Sequence, residues 1–215
     1  MADERDTPTT QQAVGPMGET RAVVATLRDA TANPGPLGLT AFGMTTLLLN
    51  IHNAGIVQMS AMILATGFFL GGAAQVIAGI MEWRKNSTFG MTAFLSYGFF
   101  WLTFVGLFAF PKWVGVDAAT ANALGWYLAA WGLFTALMFV GTLRINRSLQ
   151  TVFLSLAILF ALLAITEWTG NATLGKVAGG EGIFVGLSAI YGAFAQLWNE
   201  LYGRVVLPLG PYKKK

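Results

Sequence analysis

The chain has 215 residues, of which 55% are hydrophobic and only 11% charged, with a formal net charge of +3. A soluble domain of this size carries roughly 25% charged residues, so this composition, with a mean hydropathy of +0.60, excludes an ordinary water-soluble domain and identifies lipid as the solvent. The absence of cysteine removes disulfides and thiolate metal sites, the single histidine (His52) removes a histidine-rich metal centre, and there is no basic stripe of the kind nucleic acid demands.

Residues 1–32 differ from the rest. They are polar, mixed in charge and free of the apolar run that a signal peptide needs, and they read as a disordered cytoplasmic tail. Six apolar stretches follow, at roughly 39–57, 61–81, 89–110, 121–143, 150–166 and 180–198. A membrane helix takes about 20 residues at 1.5 Å of rise each, and all but the fifth come close to that length. The runs are too long for strands and lack alternation. The predicted fold is therefore an all-α membrane protein of six transmembrane helices over 33–209, ending in a short basic tail at 210–215.

The connections carry most of the charge, and Trp83, Trp113, Trp168 and Trp198 stand at span edges, where aromatic belts belong. Lys and Arg are divided very unequally between the two sides. Arg5, Arg21, Arg28, Arg84, Lys85, Arg144, Arg147, Arg204 and Lys213 to Lys215 fall on the side of the N-terminus, and only Lys112 and Lys176 on the other. The positive-inside rule then places both termini in the cytoplasm of a multi-pass inner- or plasma-membrane protein.

Shifting the sequence by 85 residues pairs Thr66 with Thr151, Phe68 with Phe153, Glu82-Trp83 with Glu167-Trp168, Asn86 with Asn171, Thr88 with Thr173 and Gly90 with Gly175. Three spans per copy invert the second copy relative to the first, an arrangement that transporters use with the substrate path at the repeat interface.

The polar residues within the spans admit two readings. Thr46, Asn50 and Asn53 share one face of span 1, and Thr45, Gln75, Tyr97, Ser155 and Gln196 are also intramembrane, while no Lys, Arg or Asp lies deep in any span. A pore lined by hydroxyls and amides passes a small polar solute or weak acid without trapping it in a salt bridge. The same residues also serve as hydrogen-bonding glue between packed helices. Glycine pairs such as Gly182/Gly186 read as close helix contacts. Glu82 and Glu167 read as interfacial charges. No catalytic set, phosphate loop, cofactor box or metal cluster is present, so the sequence reads as neither an enzyme nor a cofactor protein.

The stretch NPGPLGLTAF at 33–42 resembles the signature of the acetate uptake transporter family, the bacterial succinate–acetate permeases and their fungal relatives. That signature is Asn-Pro-(Ala or Val)-Pro-(Leu or Phe)-Gly-Leu, one free residue, a small residue, then Phe; here Gly35 replaces the Ala or Val. FGMTTLLLNIHNAG, TFGMTAFLSYGFFWLT and SAIY are similar to further family stretches, so the resemblance runs in order over about 33–209, with the preceding tail outside it. It implies a six-helix protomer with its own pore, assembled as a homohexamer. It implies transport of acetate, and of succinate and other small carboxylates, as an anion channel or a proton symporter. It implies a hydrophobic constriction, for which the matching residues are Phe42, Tyr97 and Leu156. Asn33 is positioned to cap a helix beginning at Pro34, so that backbone N–H groups favour a carboxylate at the cytoplasmic mouth. The candidate substrate path is Asn33, Pro34, Thr45, Thr46, Asn50, Asn53, Gln75, Ser155 and Gln196. A channel for another small solute such as ammonia, or a membrane sensor, remains as an alternative.

Overall fold

The computed structural model describes residues 8–14, 20–26 and 31–212. In the N-terminal segment, where the sequence reads as disordered, Pro8–Val14 (β1) and Thr20–Thr26 (β2) pair as an antiparallel ladder with Pro8 opposite Thr26 and Val14 opposite Thr20. Both segments are rich in Thr and Val, whose branched Cβ suits extended backbone. Lys213 to Lys215, the charged end of the basic tail, lie outside the described residues, as does the rest of the tail before Thr31.

Six helices follow: α1 (Gly35–Asn53), α2 (Ala61–Arg84), α3 (Thr88–Val114), α4 (Ala121–Thr142), α5 (Arg147–Thr169) and α6 (Ala172–Leu201). Helices α2 to α6 are long and apolar enough to cross a membrane. Helix α1, of 19 residues, is long enough but carries Thr45, Thr46, Asn50, His52 and Asn53, which lower its hydropathy.

The sequence sets most helix ends by short polar caps. The side chains of Ser87, Thr120, Asn146 and Asn171 each accept a hydrogen bond from the first turn of the helix they precede. Gly115 and Gly170 end α3 and α5 in the left-handed conformation, with φ of 72° and 65°. These caps explain why α5 has 23 residues and not the short run of apolar side chains alone. They also explain why α6 begins at Ala172, well before its apolar stretch: Asn171 bonds the backbone N–H of both Thr173 and Leu174.

Helix α2 is not uniform. Thr66–Ala74 winds as a π-helix between α-helical ends. The wider turn sets Gly67, Gly71 and Gln75 on one inward face. Gly71 lies so close to the Trp101 ring of α3 and Thr45 of α1 that a Cβ there would come within 2.7 and 2.8 Å of them.

Adjacent helices pack in matching pairs, α1 on α2 and α2 on α3 in the first half, α4 on α5 and α5 on α6 in the second. The bundle closes through α1 against α6, where glycines bring the backbones together. A Cβ on Gly43 would sit 2.8 Å from the Gly186 carbonyl, and one on Gly186 would sit 2.8 Å from the Gly43 carbonyl. The repeat-related interface, α3 against α4, is instead filled by rings. Phe100 stacks on Tyr127 at 5.8 Å and meets Trp131 edge-on at 5.2 Å, while Tyr97 meets Phe134 at 5.5 Å. The aromatic core therefore lies on one side of the bundle and the glycine seam on the other. Trp83, Trp113, Trp168 and Trp198 are all exposed, as span-edge aromatics should be.

Candidate functional site: an internal cavity

Five helix ends define the mouth of a cavity of about 550 Å³. Asn33, Pro34 and Gly35 contribute from the start of α1, Gln196 from the end of α6, and Glu82, Lys85 and Ser87 from the α2–α3 turn. Asn146 at the start of α5 and Leu209 from the C-terminal segment complete it. That segment is pinned across the mouth: Arg147 and Ser148 donate their backbone N–H to the carbonyls of Gly210 and Leu209, and Tyr191 donates its hydroxyl to the Pro208 carbonyl at 2.8 Å.

The start of α1 is built as the sequence suggests, one residue further in. The Asn33 Oδ1 accepts from the Gly35 N–H at 3.0 Å, Pro34 occupies the cap position, and the Pro34 carbonyl accepts from Gly38. The Asn33 amide also donates to the Gln196 Oε1 at 3.4 Å, tying α1 to α6. The Ser87 hydroxyl oxygen accepts from the Gly90 N–H at 3.3 Å, and the Glu82 carboxylate lies over the same glycine.

Deeper in, the wall becomes aromatic and aliphatic. Phe42 is seven residues into α1, Tyr97 nine into α3 and Leu156 nine into α5. At 1.5 Å per residue all three stand about 10–14 Å from the same end of the bundle. All three line the cavity and all are buried, and the Phe42 and Tyr97 rings touch at 5.5 Å. Phe153 packs on Tyr97 from α5 at 5.9 Å. The Tyr97 hydroxyl is anchored away on α4. It shares a 2.9 Å hydrogen bond with the Thr135 hydroxyl, whose own proton goes to the Trp131 carbonyl at 2.7 Å. Tyr97 therefore donates, and its ring rather than its hydroxyl proton is what it offers the cavity.

Of the other candidate path residues, Gln75 lines the cavity with the three constriction residues, and Asn33, Pro34 and Gln196 line its mouth. Thr45, Thr46, Asn50, Asn53 and Ser155 do not line it. The Thr45 hydroxyl donates to the Ala41 carbonyl at 2.8 Å, and that of Ser155 to the Thr151 carbonyl at 2.7 Å, each within its own helix. Asn50 donates to the Thr46 carbonyl at 2.8 Å and accepts from Asn53 at 3.0 Å, and Gly182 of α6 lies directly against it. Asn50 and Asn53 thus lie past the ring of Phe42, where Gly182 and Gly179 of α6 press against α1, while the Thr46 hydroxyl is buried without a hydrogen-bond partner. Glu82 and Lys85 are the two charged lining residues, and the candidate path read from the sequence leaves both out. The signal for Glu82 was its place seven residues after Gln75, on the same face of a helix.

This is a multi-pass helical membrane protein with a cavity that opens at one end and is walled by large apolar side chains at depth. Residues 18–211 match the GPR1/FUN34/yaaH family, and the chain belongs to it. The match begins ahead of Asn33, so it takes in part of the N-terminal segment that the sequence resemblance had left outside. The chain is 54% identical over 179 residues to the succinate-acetate/proton symporter SatP of Escherichia coli strain K12, covering 83% of this chain and 95% of that one. It is 32% identical over 198 residues to acetate permease A of Emericella nidulans, covering 84% of this chain and 66% of that one. It is 36% identical over 173 residues to ammonia transport outward protein 2 of Saccharomyces cerevisiae, covering 76% of this chain and 61% of that one. The solved structure of the bacterial acetate channel SatP superposes with a TM-score of 0.82 at 54% identity, covering 84% of this chain and 99% of that one. All of these relatives are named as transporters or channels, not enzymes.

Proposed function

We propose that the protein moves acetate, and with it succinate and other small carboxylates, across the cell membrane through the cavity of each protomer. The observation that carries this reading is the shared depth of Phe42, Tyr97 and Leu156 on three different helices, at the end of a cavity whose mouth is polar. A carboxylate is received by amides and by Lys85, and its short apolar tail then meets a wall of rings and methyls. Support also comes from the kinship to an acetate channel of known structure.

The Lys and Arg distribution supports a cytoplasmic location for the mouth and both termini. Reporter fusions at Lys215 and within the loop 115–120 are expected on opposite sides. Helix α4 exposes Trp126, Leu133, Leu137 and Val140 as one apolar stripe, a surface suited to lipid or to a neighbouring protomer in a homohexamer.

Carrying an anion inward against the membrane potential costs about 2.3 kcal/mol per 100 mV, and a co-transported proton cancels that term. The test is uptake of labelled acetate into proteoliposomes with and without a pH gradient. Acceleration by the gradient at fixed internal volume identifies symport, and gradient-independent flux identifies a channel. Absence of acetate flux, with flux of ammonia instead, overturns the reading.

A further inference from the structure

Glu82 is the one carboxylate on the cavity wall among the described residues, and it is 7% exposed. It stands two residues before the end of α2, whereas Tyr97 is nine residues into α3, so Glu82 lies about 10 Å nearer the mouth than the ring of Phe42, Tyr97 and Leu156. Gly90 of α3 makes room for it: a Cβ there would overlap the Glu82 carboxyl group. The repeat shows that this seat is no general feature of the turn. Eighty-five residues on, Glu167 and Gly175 hold the matching positions at the opposite end of the bundle. A Cβ on Gly175 would meet only the Thr166 methyl, at 3.2 Å, and Glu167 is not on the cavity wall. The first copy alone buries its carboxyl beside a path, where keeping an ionisable group is costly.

The elements around this carboxyl bring almost nothing that titrates. At the mouth α1 contributes Asn33, α3 contributes Ser87 and Gly90, α5 contributes Asn146 and α6 contributes Gln196. Lys85, three residues on from Glu82, is the only cation on the wall among the described residues, and its ammonium donates to the Thr31 carbonyl ahead of α1. Tyr97, deeper in, commits its hydroxyl proton to Thr135. An acid that enters the mouth must next pass Phe42, Tyr97 and Leu156, which offer rings and methyls. A carboxylate forfeits its hydration there, and the neutral acid forfeits far less. The proton is therefore best acquired before the ring, and Glu82 is the group so placed that can supply it.

We infer that Glu82 is the proton-exchange residue of transport, giving a proton to the permeating acid and taking it back at the mouth of the cavity. For an acid that enters from the mouth, protonated Glu82 gives up its carboxyl proton: its O–H bond breaks as that of the neutral acid forms, and Glu82 is left ionised. Water at the mouth then returns a proton to Glu82. For an acid that arrives through the ring, the steps reverse. Ionised Glu82 takes the proton, the carboxylate leaves by the mouth, and the proton follows it into water. Glutamic acid and a small monocarboxylic acid have similar intrinsic acidity, so the exchange crosses no large free-energy step. What passes the ring is uncharged, and each acid brings one proton with it. This inference rests on the transport reading above and assigns the proton coupling of that reading to one residue.

The test measures initial rates of labelled-acetate uptake into proteoliposomes with and without an inward proton gradient, after subtraction of the rate in protein-free vesicles. Wild type, Glu82→Gln and Glu82→Asp are compared, and thermal melting verifies that each is folded. The gradient is expected to accelerate the wild type. Glu82→Gln keeps the size of the side chain and has no proton to exchange, so it is expected to lose the acceleration. Glu82→Asp keeps a carboxyl group and is expected to retain part of it. A separate arm needs no variant: wild type is treated with dicyclohexylcarbodiimide, which adds to protonated carboxyl groups in apolar surroundings. The expected result is an adduct on Glu82, blocked by acetate, with loss of the acceleration. Full acceleration in folded Glu82→Gln, or in wild type carrying the adduct on Glu82, overturns the inference, as does wild-type flux that the gradient leaves unchanged. Absence of any acetate flux in the wild type fails the transport reading instead, so the two failures are distinguishable.

Discussion

Tyr97 on α3 and Thr135 on α4 are joined by a hydrogen bond of 2.9 Å, and the positions related to them by the repeat, Gly182 and Asn50, also lie against each other, across α6 and α1. One interface is held apart by a phenol and the other closed by the absence of a side chain. The same inverted architecture thereby yields an aromatic wall on one side of the bundle and a tight seam on the other. A methyl group at Gly182 would land on the Asn50 carboxamide. Gly182→Ala is expected to lower stability by about 1–3 kcal/mol, the usual range for overpacking, measured as a drop in melting temperature in detergent. An unchanged melting temperature would mean that α1 and α6 do not meet as closely as described.

Tyr97→Phe removes the hydroxyl but keeps the ring. Thr135 retains its bond to the Trp131 carbonyl, so the expected stability loss is that of one hydrogen bond, about 0.5–1.5 kcal/mol. Acetate uptake should persist with its size selectivity intact, because the hydroxyl proton is turned toward α4. Loss of uptake in a folded Tyr97→Phe protein would show that the hydroxyl meets the permeant after all.

Asn33→Ala removes the side chain that accepts from Gly35 and donates to Gln196. Loss of the hydrogen bond to Gly35 is worth about 0.5–1.5 kcal/mol. The protein should still reach the membrane, with reduced uptake because the mouth loses both an amide and the α1–α6 tie. Normal uptake at equal membrane abundance would assign the motif to folding alone.

The six helices were legible because lipid demands long apolar runs, and the caps at Asn146 and Asn171 could be found only by looking beyond hydropathy. The meeting of Phe42, Tyr97 and Leu156 came from family resemblance, since no periodicity within a helix says which face meets which neighbour. Asn50 and Asn53, read with Thr46 as one face of span 1, are joined by a hydrogen bond between their side chains. What covers them depends on Gly182, a residue more than a hundred positions away whose partner a single sequence does not reveal. Glu82 read as interfacial because it sits beside Trp83 at the end of a span, yet the α2–α3 turn folds it over Gly90 and into the cavity wall. The π-helical stretch in α2 has no sequence signature beyond its glycines, and it is what carries Gln75 inward.

The placement of Leu156 tests the account most directly. It is 3% exposed and lines the cavity beside Phe42 and Tyr97, so truncation should widen the path without adding charge. The decisive measurement is inhibition of labelled-acetate uptake by acids of increasing size, in wild type and in Leu156→Ala, with folded protein verified in both. The account predicts that Leu156→Ala keeps acetate uptake and gains inhibition by lactate-sized and larger acids. If Leu156 were ordinary core, the truncation would lower stability by roughly 2–5 kcal/mol and leave the size profile of inhibition unchanged, and that result would contradict a path through this ring.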